Sequence, residues 1–280
     1  MSFGMHPERP RGRPLRPPGA PVVQGVNWIA VRTLYLKEVR RFFKVQMQTI
    51  WAPAVTTLLF LAIFLVALGG LQREVLGVPY ARFLGPGLIA MGMIQNAFQN
   101  SSSSLVIAKV QGTLVDLLMP PLSWGEILSC LVAGAVTRAW AVGLAIWGAM
   151  WLWPGVDVPV ERPWLVFAAG TLGAVLLALV GVLTGLWADK FDHAAAVTNF
   201  VIQPLTLLSG TFYAIGRLPD WAQILSRANP FFHVIDAFRA GFIGVSEAPV
   251  AASLTLVASL CVALWWVAYA LLRSGWKTRP

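Results

Sequence analysis

Apolar residues recur along the chain in runs near 20 residues, divided by short polar or charged stretches. Such runs exceed what a globular interior uses and match the hydrocarbon thickness of a bilayer. Six are placed at about 50–70, 83–101, 127–152, 164–187, 196–214 and 250–272. They predict an all-α integral membrane protein with six transmembrane helices. Ahead of the first run, Asn27 to Gln48 repeats at a helical period. Lys37, Arg40, Arg41 and Lys44 share one arc, and Trp28, Val31, Leu34, Tyr35, Val39 and Phe42 lie opposite. Arg32 and Glu38 interrupt the apolar side. A helix divided in this way lies in the membrane interface rather than crossing it. It serves as an anchor or as a docking surface for a cytoplasmic partner, and the pattern leaves both open.

Composition sharpens the picture. Charged residues make up 12% of the chain, against about 25% in a soluble domain. The net charge of +9 invites a nucleic-acid reading, but nine of the 21 Lys and Arg precede residue 45, where a membrane protein keeps its topogenic charges. Acidic lipid explains that excess better. Placing both termini in the cytoplasm puts 14 basic residues inside and six outside, with Arg138 inside a span. Residues 1–25 are rich in Pro and Arg with no apolar core, so a disordered basic tail is expected rather than a cleaved signal. Residues 26–280 form the membrane domain. Cys130 and Cys261 both fall in apolar runs and read as packing residues.

The motifs that do not occur are also informative. The sequence has no G-x-x-x-x-G-K-[ST] loop to cradle nucleotide phosphates, and no H-E-x-x-H or G-x-S-x-G. Its three histidines are far apart, so neither a metal site nor an enzyme is expected. No acidic residue falls inside a span, and a proton-coupled carrier needs one at membrane depth. Work against a gradient would need an outside energy source. Arg138 is the one ionisable residue at mid-membrane, either a hydrogen-bond node or a residue of a pathway or dimer interface. Trp140, Trp147 and Trp151 form a stripe about 160° away from it on the same helix. If Arg138 faces protein, they face lipid. The inner half of the second run is polar. Gln95 and Gln99 share one face, Asn96 and Asn100 the next, and Ser101 to Ser104 follow. These amides are helix–helix glue or the inner mouth of a polar conduit. Gly181 and Gly185 predict close helix packing.

Two further segments carry local signals. In the inner loop, Thr113 is placed to cap a short helix with Leu114, Leu117 and Leu118 on its apolar face, stopped by Pro120 and Pro121. Ser123 and Glu126 stand at capping-box spacing for the next helix. In the outer segment, Asn229 caps and Pro230 takes the first helical position. Asp236 and Arg239 are placed to pair at i,i+3. Residues 229–243 are too short to span and too apolar for a free loop, so a re-entrant helix is expected.

Both segments resemble the type 2 class of bacterial ABC exporter permeases. The run Gly112-Thr113…Leu117-Leu118…Pro121-Leu122-Ser123 is similar to the family's coupling helix. The run Gly210-Thr211-Phe212-Tyr213…Leu218-Pro219…Trp221…Asn229-Pro230…Asp236…Arg239 is similar to its re-entrant segment at about 210–245. Val110 and Gln111 stand where many members carry an Arg-Glu pair, so a salt bridge from that point does not carry over. The resemblance implies a dimer of permeases in the bacterial inner membrane, bound to two cytoplasmic ABC ATPases that hold ATP and Mg. It implies that the helix at about 110–119, with Gly112, Thr113, Leu114, Asp116, Leu117 and Leu118, contacts the ATPase together with the interfacial helix 27–48. The path candidates are Gln95, Asn96, Gln99, Asn100 and Arg138. The spans hold no ring of charge to select an ion, so an amphiphile such as a lipid, drug, or glycolipid or glycan is the expected substrate. A non-transporting membrane scaffold is the alternative.

Overall fold

The computed structural model describes residues 26–67, 74–118, 121–152 and 158–277, and the expected tail at 1–25 lies outside them. Helix α1, Trp28–Phe43, begins at Asn27, whose Oδ1 accepts the amide of Ala30 at 3.2 Å. It stops short of the expected Gln48. The Thr49 hydroxyl donates to the carbonyls of Phe42 at 2.9 Å and Val45 at 3.1 Å, turning the chain into a π-helical turn, Met47–Trp51. Helix α2, Ala52–Ala62, and a second π-helical turn, Ile63–Ala67, continue it.

A small antiparallel hairpin follows, β1 Glu74–Val75 and β2 Val78–Pro79. It is the one non-helical element among the described residues and was not foreseen by the apolar pattern. Then come α3, Tyr80–Val110, the short α4, Leu114–Leu118, and α5, Trp124–Trp151. Helix α6 is Pro163–Trp187. Helix α7, Phe191–Val197, passes through a π-helical turn, Thr198–Ile202, into α8, Gln203–Leu207. Helices α9, Asp220–Ala228, α10, Pro230–Ile243, and α11, Val250–Ser274, complete the chain.

Four helical stretches are long and apolar enough to cross a membrane: Met47–Val66, Trp124–Trp151, Pro163–Trp187 and Val250–Ser274. The second expected span falls on α3, which has the length but carries Gln95 to Ser104 within it. The fifth falls on α7 and α8, joined through the π-helical turn into one helical stretch that ends at Leu207, seven residues short of the expected 214.

Helices α3 and α6 form the centre, joined by α5 on one side and α10 on another. Their backbones touch at the two glycines. A Cβ on Gly181 would lie 2.5 Å from the Phe98 carbonyl oxygen, and one on Gly185 2.8 Å from Leu105 Cβ. Gly181→Leu should therefore force α3 and α6 apart and destabilise by about 1–3 kcal/mol or more. Gly148→Leu, at a position with nothing within 4 Å of a Cβ, should not. Thermostability of the two solubilised variants, read by size-exclusion after heating, checks this; equal losses would refute the contact. The Met47–Val66 and α11 stretches are only 33% and 17% buried, against 61% and 67% for α5 and α6, so they present the more exposed faces of the bundle.

Candidate functional site

Glu38 interrupts the apolar side of α1 yet is 1% exposed. A carboxylate survives there only if its lone pairs are met. It accepts from Arg41 Nη2 at 3.0 Å and from Ser104 Oγ at 2.9 Å. Arg41 also donates to the Asn100 carbonyl at 2.8 Å, to Asn100 Oδ1 at 3.1 Å and to Ser103 Oγ at 3.1 Å. On α5, the buried Arg138 donates from Nη2 to Asn96 Oδ1 at 2.7 Å. Helical periodicity had marked Glu38 only as a flaw in the apolar face. The informative signal was that flaw itself, a carboxylate three residues before Arg41.

Beside this network lies a cavity of about 1020 Å³ between α1, the Lys109 end of α3 and α7. Lys37, Arg40, Arg41 and Lys44 line it, with Gln48, Gln99, Ser102, Ser103 and Arg138. A second cavity of about 290 Å³, between α2 and α3, is lined by Thr56, Thr57, Gln95 and Asn96. Gln48 and Gln99 line both, so the two cavities adjoin along α3, and the row of polar side chains on their walls is a candidate polar track. Of the five path candidates, Gln95, Asn96, Gln99 and Arg138 border this track, and Asn100 is buried behind it. Gln95 Nε2 reaches Gln203 Oε1 of α8 at 3.3 Å. The tryptophan stripe points elsewhere. Trp140 donates to Thr171 Oγ1 at 3.2 Å and Trp147 to the Val158 carbonyl at 3.4 Å. Both line a separate, apolar cavity of about 350 Å³ with Met93, Phe167 and Phe238.

Gly112 adopts φ +69°, a backbone that glycine enters at low cost, and so turns α3 into α4. The expected helix at 110–119 is thus shorter, because Val110 still belongs to α3 and residues 111–113 form the turn. The Thr113 hydroxyl reaches back to the Ala108 carbonyl at 3.5 Å instead of capping forward. Leu114 is half-buried against the core, while Val115 and Asp116 are exposed. The side chains of Leu117 and Leu118 lie outside the described set. The capping box of α5 forms as its spacing predicts, with Glu126 N to Ser123 Oγ at 3.3 Å and Ser123 N to Glu126 Oε2 at 2.6 Å. Glu126 Oε1 also accepts the Asn27 amide at 3.2 Å, tying the start of α1 to that of α5.

Near α4, a clasp joins three helix ends. Lys109 donates to the Leu186 and Ala188 carbonyls at the end of α6, where cations are favoured. Lys277, beyond α11, donates to the Trp187 carbonyl at 2.9 Å and to Asp189 Oδ2 at 2.8 Å. The Lys277 hydrogen bond, aided by the charges of Lys277 and Lys109, holds the Asp189 carboxyl below the usual carboxylate range. A depressed folded pKa means the stabilisation is present above the unfolded value of about 3.9 and is lost as pH falls through the lower folded one. Thermostability should therefore drop below about pH 4 more in the native chain than in Asp189→Asn. Parallel acid profiles would show that the clasp contributes nothing.

At the opposite end, Asn229 Oδ1 accepts the Phe231 amide at 3.0 Å and its Nδ2 donates to the Leu205 carbonyl at 2.6 Å, so α10 starts at Pro230 as its sequence indicates. Helix α10 is buried along 12 of its 14 residues. At about 21 Å it is shorter than a bilayer's hydrocarbon core. Asp236 and Arg239 do not form the expected contact ion pair. They attract across α10, but the Asp236 carboxylate accepts the Glu247 and Ala248 amides at 3.0 Å, and Arg239 Nη2 donates to the Gly210 carbonyl at 2.7 Å. Arg239 also lies 3.8 Å over the Phe83 ring. Gly210, at φ +72°, and Tyr80, donating to the Phe212 carbonyl at 2.8 Å, fix the turn that meets it. Phe212 stacks on Phe64 at 4.7 Å, and Tyr213 donates to the Leu207 carbonyl at 3.3 Å. Leu218 and Pro219 lead into α9, whose Trp221 is exposed.

A family model described as ABC-2 type transporter matches residues 29–243, from α1 through α10. The inner membrane transport permease YadH of Escherichia coli strain K12 is 34% identical over 250 residues, covering 89% of this chain and 96% of that protein. Nodulation protein J of Rhizobium meliloti strain 1021 is 27% identical over 251 residues, covering 89% and 94%. The probable multidrug ABC transporter permease YbhR of Escherichia coli strain K12 is 26% identical over 162 residues, covering 56% and 42%.

Proposed function

The chain belongs to the ABC-2 type transporter family, and from that membership we propose that it is the permease subunit of an ATP-driven exporter moving an amphiphile, whether lipid, drug or glycolipid, across a bacterial inner membrane. The observation that carries this reading is the polar track along α3, bordered by Gln95, Gln99 and Arg138 in an otherwise apolar set of helices. The α1 end and both termini face the cytoplasm, where the basic residues gather. A separate ABC ATPase docks there on α1 and α4 and holds ATP and Mg. Two permeases meet in one complex, and α10 with the segment before it is the re-entrant element at the outer end.

The test is reconstitution with a candidate ABC ATPase from the same organism. A stable complex should co-purify from membranes and move a fluorescent amphiphile only with ATP. Full transport by the permease without any ATPase would overturn the reading. A complex that binds amphiphiles but never moves them with ATP would favour a membrane scaffold.

A further inference from the structure

We propose that the cleft beside α1 recognises a phosphate-type headgroup, which makes the exported amphiphile an anionic one; this rests on the transport reading above. Lys37, Arg40 and Lys44 are spaced three and four residues apart, so they present one cationic face to the cavity. Arg138 enters the same cavity from α5. Among the described residues none of these four is in an ion pair, and no Asp or Glu lines the cavity. Only Arg41 is neutralised, by Glu38 behind it. The cleft therefore carries a surplus of about four positive charges that its own walls do not balance.

Exposed lysines and arginines on an interfacial helix have an ordinary use, which is to meet the phosphates of the bilayer surface. That accounts for Lys37, Arg40 and Lys44 but not for Arg138. Arg138 is 7% exposed and is held between helices by the neutral amide of Asn96. Its Nε has no hydrogen-bond partner among the described residues. Arg41 and Arg239 share an unpaired Nε, but Arg41 also meets a carboxylate and Arg239 backbone carbonyls, whereas among the described residues Arg138 donates only to the neutral Asn96 side chain. Here a full charge, balanced by no carboxylate among the described residues, is fixed at the inner wall of a roomy cleft. Bidentate oxyanions match such a guanidinium, and phosphate does so with the most charge. Gln99, exposed on α3 at the junction of the two cavities, would pass the headgroup's neutral neighbour toward the second.

The test uses the full chain in nanodiscs of zwitterionic lipid, without any ATPase. Fluorescent lysophosphatidic acid and lysophosphatidylcholine of the same acyl chain are titrated and read by anisotropy against empty discs. The anionic probe should bind about tenfold tighter, the scale of two or more cations acting on one phosphate. That preference should fall to about threefold or less in the exposed pair Lys37→Gln/Arg40→Gln and in Arg138→Gln, with the zwitterionic probe unchanged. Equal binding of the two probes by the native chain would overturn the proposal. So would a preference that survives both variants, which would assign it to general surface charge. Inorganic phosphate should compete only weakly; full displacement at low millimolar levels would identify a soluble anion as the ligand and overturn the amphiphile assignment. Failure here leaves ATP-driven transport of uncharged amphiphiles standing, and failure of the ATPase reconstitution leaves this binding measurement intact.

Discussion

Glu38→Ala should cost about 2–3 kcal/mol and loosen α1 from the bundle, less than the about 3–5 kcal/mol of a fully enclosed pair because Arg41 keeps some access to water. The carboxylate is the shared acceptor of Arg41 and Ser104, so its removal leaves a guanidinium whose only remaining partners are neutral. Glu38→Gln retains the shape and one acceptor and should recover part of the loss. A second route reaches the same contact from α5. A Cβ on Gly134 would lie 2.7 Å from Glu38 Cβ, so Gly134→Val should displace the same helix. Thermostability in detergent, with limited proteolysis between α1 and α2 as the local readout, tests both. Native protection in Glu38→Ala would mean that α1 is held by its apolar contacts alone.

On the proposed docking of an ABC ATPase at α4, Val115→Asp and Leu117→Asp should leave the protein inserted and the ATPase active while transport falls at least about tenfold. A carboxylate forced into a docking contact without a partner costs well over the 1.4 kcal/mol that a tenfold change represents. Val115 is the sharper choice, since it is 55% exposed and carries no folding role that the substitution would remove. The measurement is transport per ATP hydrolysed in proteoliposomes. Native coupling in both variants would mean that α4 is not where the motor pushes.

Local chemistry was the legible part of this chain. The Ser123–Glu126 box and the Asn229–Pro230 start depend on residues within three positions of each other, and both formed. Gly181 and Gly185 signalled contact because small residues on one helical face have few other uses in a membrane bundle. The divergence of Arg138 from Trp140 and Trp147 followed from 100° per residue alone. What periodicity could not supply was the distant partner. Asp236 and Arg239 look paired at i,i+3, yet backbone groups from residues 210 and 247 compete for them and win. Glu38 looked misplaced for the same reason, since Ser104 is 66 positions away. The early end of α1 turned on one hydroxyl, that of Thr49, and the hairpin at 74–79 is too short to leave an alternating pattern.

The polar track also has an electrical meaning. On the proposed orientation it opens to the cytoplasm, and water filling it as far as Gln95 would hold those residues near the cytoplasmic potential. Most of the membrane voltage then drops across the dry outer portion, where Arg239 and α10 close the bundle over Phe83 and the Gly210 turn. A headgroup with one negative charge leaving the track would cross nearly the whole field at once, gaining about 2.3 kcal/mol per 100 mV of inside-negative potential. For such a cargo the resting membrane itself shares the load with ATP, and de-energised vesicles would export it more slowly than energised ones at equal nucleotide.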